Sequence, residues 1–328
     1  MGIKVLTPGL STSVQDGGRE GFYHLGIPPS GALDRTGLVT ANLLVGNHPF
    51  DAALECTLLG PELLFEQDTL FAVSGAPFTV TLDNQSVPVN TSLLARKGQI
   101  LKIAYTTVGV RCYLAIAGGI NVPVIAGSRS TYLLGSLGGY KGRRLQAGDE
   151  LPVQEAICNK GRINYTLPDE LRPVFTKENE LRVVPGMYIH RLKQESVESF
   201  FDDVWKISKD SDRTGFRFQG GRSLNFVDRH PPFGAGSDPS NIVDACYPVG
   251  SIQVPSGSTP IVLHRDAVSG GGYMTVGTVV STDLDILAQL APGSSVTFSQ
   301  VSMDKALEIR KEFNERLNLL INSLSYGS

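Results

Sequence analysis

Cysteine is scarce and scattered in this chain: Cys56, Cys112, Cys158 and Cys246 are the four thiols in 328 residues, and no two share a CxxC spacing. That pattern argues against a thiolate metal knot or a redox dithiol. None of the five histidines, His24, His48, His190, His230 and His264, forms an HxxxH pair, so no metal is expected. A GxSxG elbow is absent, and so is a strand–GxxxxGK[ST]–helix loop, which removes two common hydrolase signatures. Positive charge is not in excess either. The 29 Lys and Arg stand against 32 Asp and Glu, a net charge of −3, without the clustered cations that a phosphate backbone demands. No apolar stretch is long enough to span a bilayer, and no cationic segment followed by an apolar one opens the chain. Leu6 stands where a myristoylation signal requires Ser or Thr. A cytoplasmic location is therefore expected.

Glycine and proline are what the chain has in quantity, 36 and 19 residues, placed between short apolar runs. Such punctuation indicates many turns rather than disorder. LLFEQDTLFAVSG, FTVTLDNQSVPV, QILKIAYTT and VRCYLAIAGG are rich in Val, Ile, Phe and Tyr and read as strands, with Asp83-Asn84 as a hairpin turn. Cys112 falls inside such a run, as a small buried apolar side chain would. One helix interrupts the strands: Asp34 caps it, Leu38, Ala41, Leu44 and Val45 form its stripe, and Gly46-Asn47 stop it. The polar stretch 158–180 lacks a period and marks a boundary, giving domains over 1–170 and 171–328. In the second, a helix is predicted across Arg191–Asp203, and another near Asp283–Leu290 with a Thr282–Asp285 capping box. A C-terminal helix from Met303 to Leu324 carries Leu307, Phe313, Leu317, Leu320 and Leu324 at helical spacing, too short for sustained heptads. KGQILKI and PGSSVTF echo each other as a Gly turn feeding a strand, one in each domain.

Several motifs carry candidate chemistry. Gln15-Asp16-Gly17-Gly18-Arg19, followed by Ser30-Gly31, lets a backbone approach a ligand, with Arg19 able to fork onto a carboxylate or phosphate. The plainer reading is a tight turn in which Asp16 and Arg19 pair, and the residues alone favour it. Asn42 and Glu55 lie among apolar neighbours and need partners or a cleft, and the residues leave both open. Gly135–Gly139 and Ser269–Tyr273 are glycine-rich loops without the helix that phosphate binding uses. Ser211-Asp212-Arg213 precedes a Gly turn, where an Asp-Arg pair is ordinarily structural. Asp266, at a strand end beside a permissive loop, is well placed for a general base.

Taken together, TPGLSTSVQDGGREGFYHLGIPPSGALDRTGLVTANLLVGN, AALECTLLGPELLF, YLAIAGGINVPVIAGSRSTY, GRRLQAGDELPV, SDRTGFRFQG, GSIQVPSGSTPIVL and DLDILAQLAPGSSVTF resemble the KipA/PxpC family over nearly the whole chain. The family is also called allophanate hydrolase subunit 2 or biotin-dependent carboxyltransferase subunit. The resemblance implies a mainly β protein of two cyclophilin-like β-barrel domains with a C-terminal helix. It also implies a role as the C subunit of an ATP-dependent 5-oxoprolinase complex that opens 5-oxo-L-proline to L-glutamate. The partners implied are a KipI/PxpB-like subunit and a PxpA-like subunit, with ATP used in the complex and not assigned to this chain. By the same resemblance, Asp266, Arg19 and Asp16 are the expected catalytic residues. Gln15, Ser30, Gly31, Asn42, Glu55, Arg213, Gln253, Gly271, Gly272 and Tyr273 are the expected substrate contacts, and Asp34, Ser211 and Asp212 also fall on family motifs.

One departure stands out. Where the family reads Asp-x-Gln-Thr-Thr-Gly-Gly-Tyr-Pro, this chain runs Asp266-Ala267-Val268-Ser269-Gly270-Gly271-Gly272-Tyr273-Met274. An amide and one hydroxyl are gone, which opens the substrate to question. Two other functions stay in view. One is a carboxyltransferase whose biotin arrives on another chain, since no Ala-Met-Lys-Met motif occurs here. The other is a non-catalytic regulator that binds a KipI-like partner.

Overall fold

The computed structural model describes residues 2–154, 162–176 and 178–325, so Cys158 lies outside the described residues. The chain divides into two compact units. Unit 1 comprises Met1–Glu20, Ser30–Phe175 and Glu315–Ser328; unit 2 comprises Gly21–Pro29 and Thr176–Asn314. The sequence reading cuts once, at 170/171, whereas the structural division also exchanges two short segments.

Among the described residues, unit 1 holds eleven strands: β1 (Gly2–Thr7), β2 (Ser11–Gln15), β3 (Ala53–Thr57), β4 (Glu62–Phe65), β5 (Thr69–Gly75), β6 (Phe78–Leu82), β7 (Gln85–Val87), β8 (Ser92–Ala95), β9 (Ile100–Thr106), β10 (Arg111–Ile116) and β11 (Glu150–Pro152). They form a six-stranded sheet ordered β11-β1-β4-β9-β6-β7 and a five-stranded sheet ordered β2-β3-β10-β5-β8. The alternation along β4 and β9 sends Leu63, Phe65, Leu101 and Ile103 into one core with Phe71, Val73, Cys112 and Leu114. Asp83 and Asn84 turn β6 into β7 at φ 47° and 64°, the left-handed pair that a two-residue hairpin needs. Helix α1 (Arg35–Leu44) lies against these sheets with Leu38, Ala41 and Leu44 fully buried.

Unit 2 is a closed barrel, β12-β19-β16-β17-β14-β13-β20, with a separate ribbon of β15 and β18. Its strands are β12 (Glu178–Pro185), β13 (Trp205–Ile207), β14 (Gly215–Gln219), β15 (Asn241–Cys246), β16 (Ser251–Gln253), β17 (Ile261–Leu263), β18 (Gly270–Tyr273), β19 (Thr275–Val279) and β20 (Ser295–Gln300). Closure leaves no free edge in the barrel ladder. Its core is aromatic: Phe200 stacks on Phe298 at 4.7 Å, Phe218 meets Phe298 edge-on at 5.1 Å, and Trp205 donates its indole N–H to Phe200 O at 3.0 Å.

Helix α2 covers Gln194–Asp202, with the preceding Ile189–Arg191 forming a separate 3-10 turn. Helix α3 covers Asp283–Leu287, but the expected Thr282–Asp285 capping box does not form. Thr282 sits at φ −76°, ψ −29°, already helical, so its hydroxyl cannot reach back over the first turn. It donates instead to Asp283, whose carboxylate is forked by Arg182. The last helix, α4 (Met303–Ser325), buries Leu320 and Leu324 in a cluster with α1, while Leu307 is 48% exposed and leaves the predicted stripe.

Candidate functional site

In unit 1 the candidate residues converge on the entry to α1. Ser30 and Gly31 take left-handed φ values of 52° and 85°, and a Cβ on Gly31 would lie 2.8 Å from the Gly18 backbone. Only glycine allows this approach. The next amides are then aimed at protein acceptors. Gly31 N donates to Gln15 Oε1 at 3.1 Å, Leu33 N to Glu55 Oε2 at 3.0 Å, and Asp34 N to the Tyr113 hydroxyl at 2.9 Å. Ala32 N donates to Asp16 O at 2.9 Å, and Asp34 closes the cap by accepting Gly37 N at 2.9 Å. This helix start is a satisfied scaffold, not an open anion cradle.

Below it, the Tyr113 hydroxyl donates to Glu55 Oε2 at 2.7 Å, and Arg111 Nε stands 3.8 Å from Glu55 Oε1. Burial and the Glu55 charge push the Tyr113 phenol well up. Asn42 is equally committed: its amide donates to Asp51 O at 2.8 Å and Pro49 O at 3.3 Å, and its Oδ1 accepts from Asn47 at 3.0 Å. These bonds close the turn after α1, so Asn42 is a structural hydrogen-bonding residue.

The first and third sequence motifs meet here. Asp16 does not pair with Arg19. Its carboxylate accepts Gly18 N at 2.8 Å, the Ser128 hydroxyl at 2.6 Å and Arg129 N at 2.6 Å, and it also receives the Ser130 hydroxyl. Gln15 donates to Ser13 Oγ at 3.0 Å and Thr131 O at 3.1 Å. Arg19 is 2% exposed and donates to Ser130 O. Gly138, at φ 67°, passes so close that a Cβ would fall 2.7 Å from Arg19 Nη2. The run Ser128–Thr131 thus supplies partners that the motif reading did not assign, although its hydroxyls stand side by side in the sequence.

In unit 2 the loop from Asp266 to Met274 gathers the remaining candidates. Arg213 does not pair with its neighbour Asp212, which caps its own turn by accepting Thr214 N at 2.8 Å. It reaches Asp266 instead, Nε to Oδ2 at 2.9 Å and Nη2 to Oδ1 at 3.2 Å, in a buried fork. Farther along, Tyr247 N donates to Ser269 O at 2.8 Å, the Tyr247 hydroxyl donates to Tyr273 O at 2.6 Å, and Tyr273 N donates back to it at 2.8 Å. Burial pushes the Tyr247 phenol up, and the nearby Gln253 side chain partly opposes that shift. A Cβ on Gly271 would lie 3.1 Å from the Tyr247 ring. Tyr247 is therefore the post around which Gly271 and Tyr273 are arranged. Sequence reasoning missed it, because a lone aromatic in DACYPVG reads as core. Tyr273 is 41% exposed, while Asp266 and Gln253 are 2% and 8% exposed. Met274, where the related pattern has Pro, donates its N–H to Ser240 O at 2.9 Å and buries its side chain.

Among the described residues, no group of three or more His, Cys, Asp or Glu is placed to hold a metal ion, and no helix is long and apolar enough to cross a membrane.

A two-sheet unit and a closed-barrel unit, each carrying a glycine-rich loop pinned by buried polar side chains, define the class. Residues 25–300 match the family of the carboxyltransferase domain, subdomains A and B, and the chain belongs to that family. It is 36% identical over 314 residues to the 5-oxoprolinase C subunit of Escherichia coli, covering 94% of this chain and 94% of that protein. It is 34% identical over 316 residues to urea amidolyase of Saccharomyces cerevisiae, covering 94% of this chain but 17% of that protein. The crystal structure of the K. lactis urea amidolyase superposes with a TM-score of 0.90 at 35% identity, over 97% of this chain and 20% of that one.

Proposed function

We propose that this chain is the C subunit of an ATP-dependent 5-oxoprolinase. In this reading it works with a KipI/PxpB-like subunit and a PxpA-like subunit to open the lactam of 5-oxo-L-proline to L-glutamate. The observation that carries the reading is the end-to-end match to a protein of that name, 94% of both chains, where the urea amidolyase match is a small part of a much longer protein. ATP belongs to the complex in this reading, and no residue of this chain is assigned to it. Tyr273, with the half-buried Gly271 and Gly272, presents the substrate-facing surface, as the exposure of Tyr273 supports. Gln253, Arg213 and Asp266 hold that strand in place. Gln15, Asp16, Arg19, Ser30, Gly31, Asn42 and Glu55 act as positioning residues in unit 1, since their polar groups are turned toward the protein.

The test is co-expression of the chain with both partner subunits and measurement of ADP release with and without 5-oxoproline. Release that rises with 5-oxoproline supports the reading, and release indifferent to it in a fully assembled complex overturns it. Tyr273→Ala is expected to raise KM, while Arg19→Ala and Asp266→Ala lower thermal stability together with kcat. Unchanged turnover in those two removes them from the machinery. The second reading, a carboxyltransferase served by biotin on another chain, is favoured by the superposition on urea amidolyase. It predicts avidin-sensitive, bicarbonate-dependent turnover in the same reconstitution.

A further inference from the structure

Beside the end of the Asp266–Met274 loop, where Met274 N donates to Ser240 O and Asn241 pairs with Tyr273, unit 2 contains a cleft of about 400 Å³ whose lining includes Lys193, Phe226, Asp228, Arg229, Asp238 and Ser256. That volume lies within the roughly 300–1,000 Å³ range of small-molecule sites. Two guanidiniums converge at its wall. Arg191, 7% exposed, donates Nη1 to Asn241 O at 3.0 Å and Nη2 to Pro239 O, and Arg229 donates Nη2 to that same Asn241 carbonyl. Like charges are thus held together on backbone oxygens. Among the described residues neither has a carboxylate within ion-pair distance, and the Nε of each lacks an acceptor. Burial and the Arg229 charge hold the Arg191 guanidinium below its ordinary value, as two uncompensated cations require. Lys193, on the same lining, adds an exposed ammonium that pairs with no acid among the described residues.

The acidic wall is built differently. Asp238 accepts the Ser240 hydroxyl at 2.6 Å, Ser240 N at 2.8 Å and the Ser256 hydroxyl at 2.6 Å. Its carboxylate is spent on the wall itself. Ser256 is held at φ 50°, a left-handed value that a side chain rarely adopts, by that bond and by its own N–H to Ser240 Oγ at 3.0 Å. Strained backbone braced this firmly is a mark of a shaped site. Asp228 remains as the lining's other acid.

We propose that this cleft binds a small ligand through a carboxylate or phosphate group received by Arg229 and Lys193, with Arg191 as the positioning charge behind them. A guanidinium fork and an ammonium are the donors that such oxyanions take. Asp228 then faces a hydrogen-bond donor on the same ligand. This assignment is independent of the 5-oxoprolinase reading, and its test uses the chain alone, so failure of one leaves the other standing.

The experiment is calorimetric titration of the full chain with inorganic phosphate and, separately, with succinate at matched low ionic strength. Saturable binding of either is expected, and the tighter of the two names the source chemistry. Arg229→Met and Lys193→Met should each weaken it about tenfold, the loss of one charge-assisted contact. Asp228→Asn should tighten it, and Lys209→Met should leave it unchanged. Arg229 also braces Asn241, so each variant's unfolding temperature is measured without anion. If Arg229→Met is unstable, Lys193→Met, whose ammonium makes no hydrogen bond or ion pair among the described residues, decides. No saturable heat from either anion, or binding that persists in Lys193→Met folded as the parent, overturns the assignment.

Discussion

At the scale of single residues, the polar groups that look most like ligand contacts in the sequence are mostly paired with distant parts of their own unit. Glu55 makes this testable. It is 2% exposed, accepts Leu33 N and the Tyr113 hydroxyl, and faces Arg111 at 3.8 Å. Glu55→Gln keeps the shape but leaves Arg111 a buried cation with a neutral neighbour, so urea unfolding should show a loss of about 3 kcal/mol. The Tyr113 phenol should titrate at lower pH in the variant, read by ultraviolet absorbance, because a raising charge is gone. The Arg213–Asp266 fork gives a second test. Arg213→Met and Asp266→Asn should each cost about 3 kcal/mol, while the double variant falls well short of the sum, since both single changes break the same buried fork. Residue types were legible in the sequence here, but partners were not. Asp212 and Arg213 adjoin and suggest a local pair, yet the bond that forms spans a separation of 53 residues. Gln15 reaches across 116. Only the closed fold brings such groups together.

Whole elements divide in the same way, by whether their signal is local. Helix α1 was readable from Asp34 to Gly46 because its cap, stripe and stop all sit within one stretch, and the Asp83-Asn84 hairpin for the same reason. The glycine turns before β9 and β20, at φ 91° for Gly98 and 87° for Gly293, bear out the echo between the two units. Strand β18 carries no such signal. Gly270–Tyr273 is mostly glycine, the residue least favoured in strands, and it pairs with β15 because Tyr247 pins it from below. A helix stripe fails where neighbours are wanting, as at exposed Leu307 in α4. Met274 shows how an element's end is fixed. Met274→Pro removes the N–H that reaches Ser240 O, and a destabilisation of about 2 kcal/mol in urea unfolding is expected from the stranded carbonyl and the lost core side chain. The neighbouring Tyr273 ring should become more accessible to fluorescence quenching in the same variant.

For the molecule as a whole, the depressed carboxylates set its response to acid. Asp149 in unit 1 is forked by Arg143 at 2.7 Å on both oxygens, and Asp203 in unit 2 is bound by Arg222 at 2.7 Å. Asp238, also in unit 2, is held by Ser240 and Ser256. All three lie below the ordinary aspartate value of 3.8, Asp149 and Asp203 chiefly through their arginines and Asp238 chiefly through the serine hydroxyls. A carboxylate whose folded value is depressed takes its proton first in the unfolded chain. Its stabilisation is complete above the ordinary value and is lost as pH falls through the lower, folded one. Urea midpoints should therefore stay level from pH 7 to about 5 and decline as pH drops below 3.8. Arg143→Met should lower the stability at neutral pH by about 1 kcal/mol, modest because that guanidinium is partly exposed. The variant and parent curves should then converge as pH falls below 3.8 and the Asp149 carboxylate takes its proton. Parallel curves across the whole range would show that Arg143 acts through packing on Tyr140, over whose ring it lies at 5.7 Å, and not through Asp149.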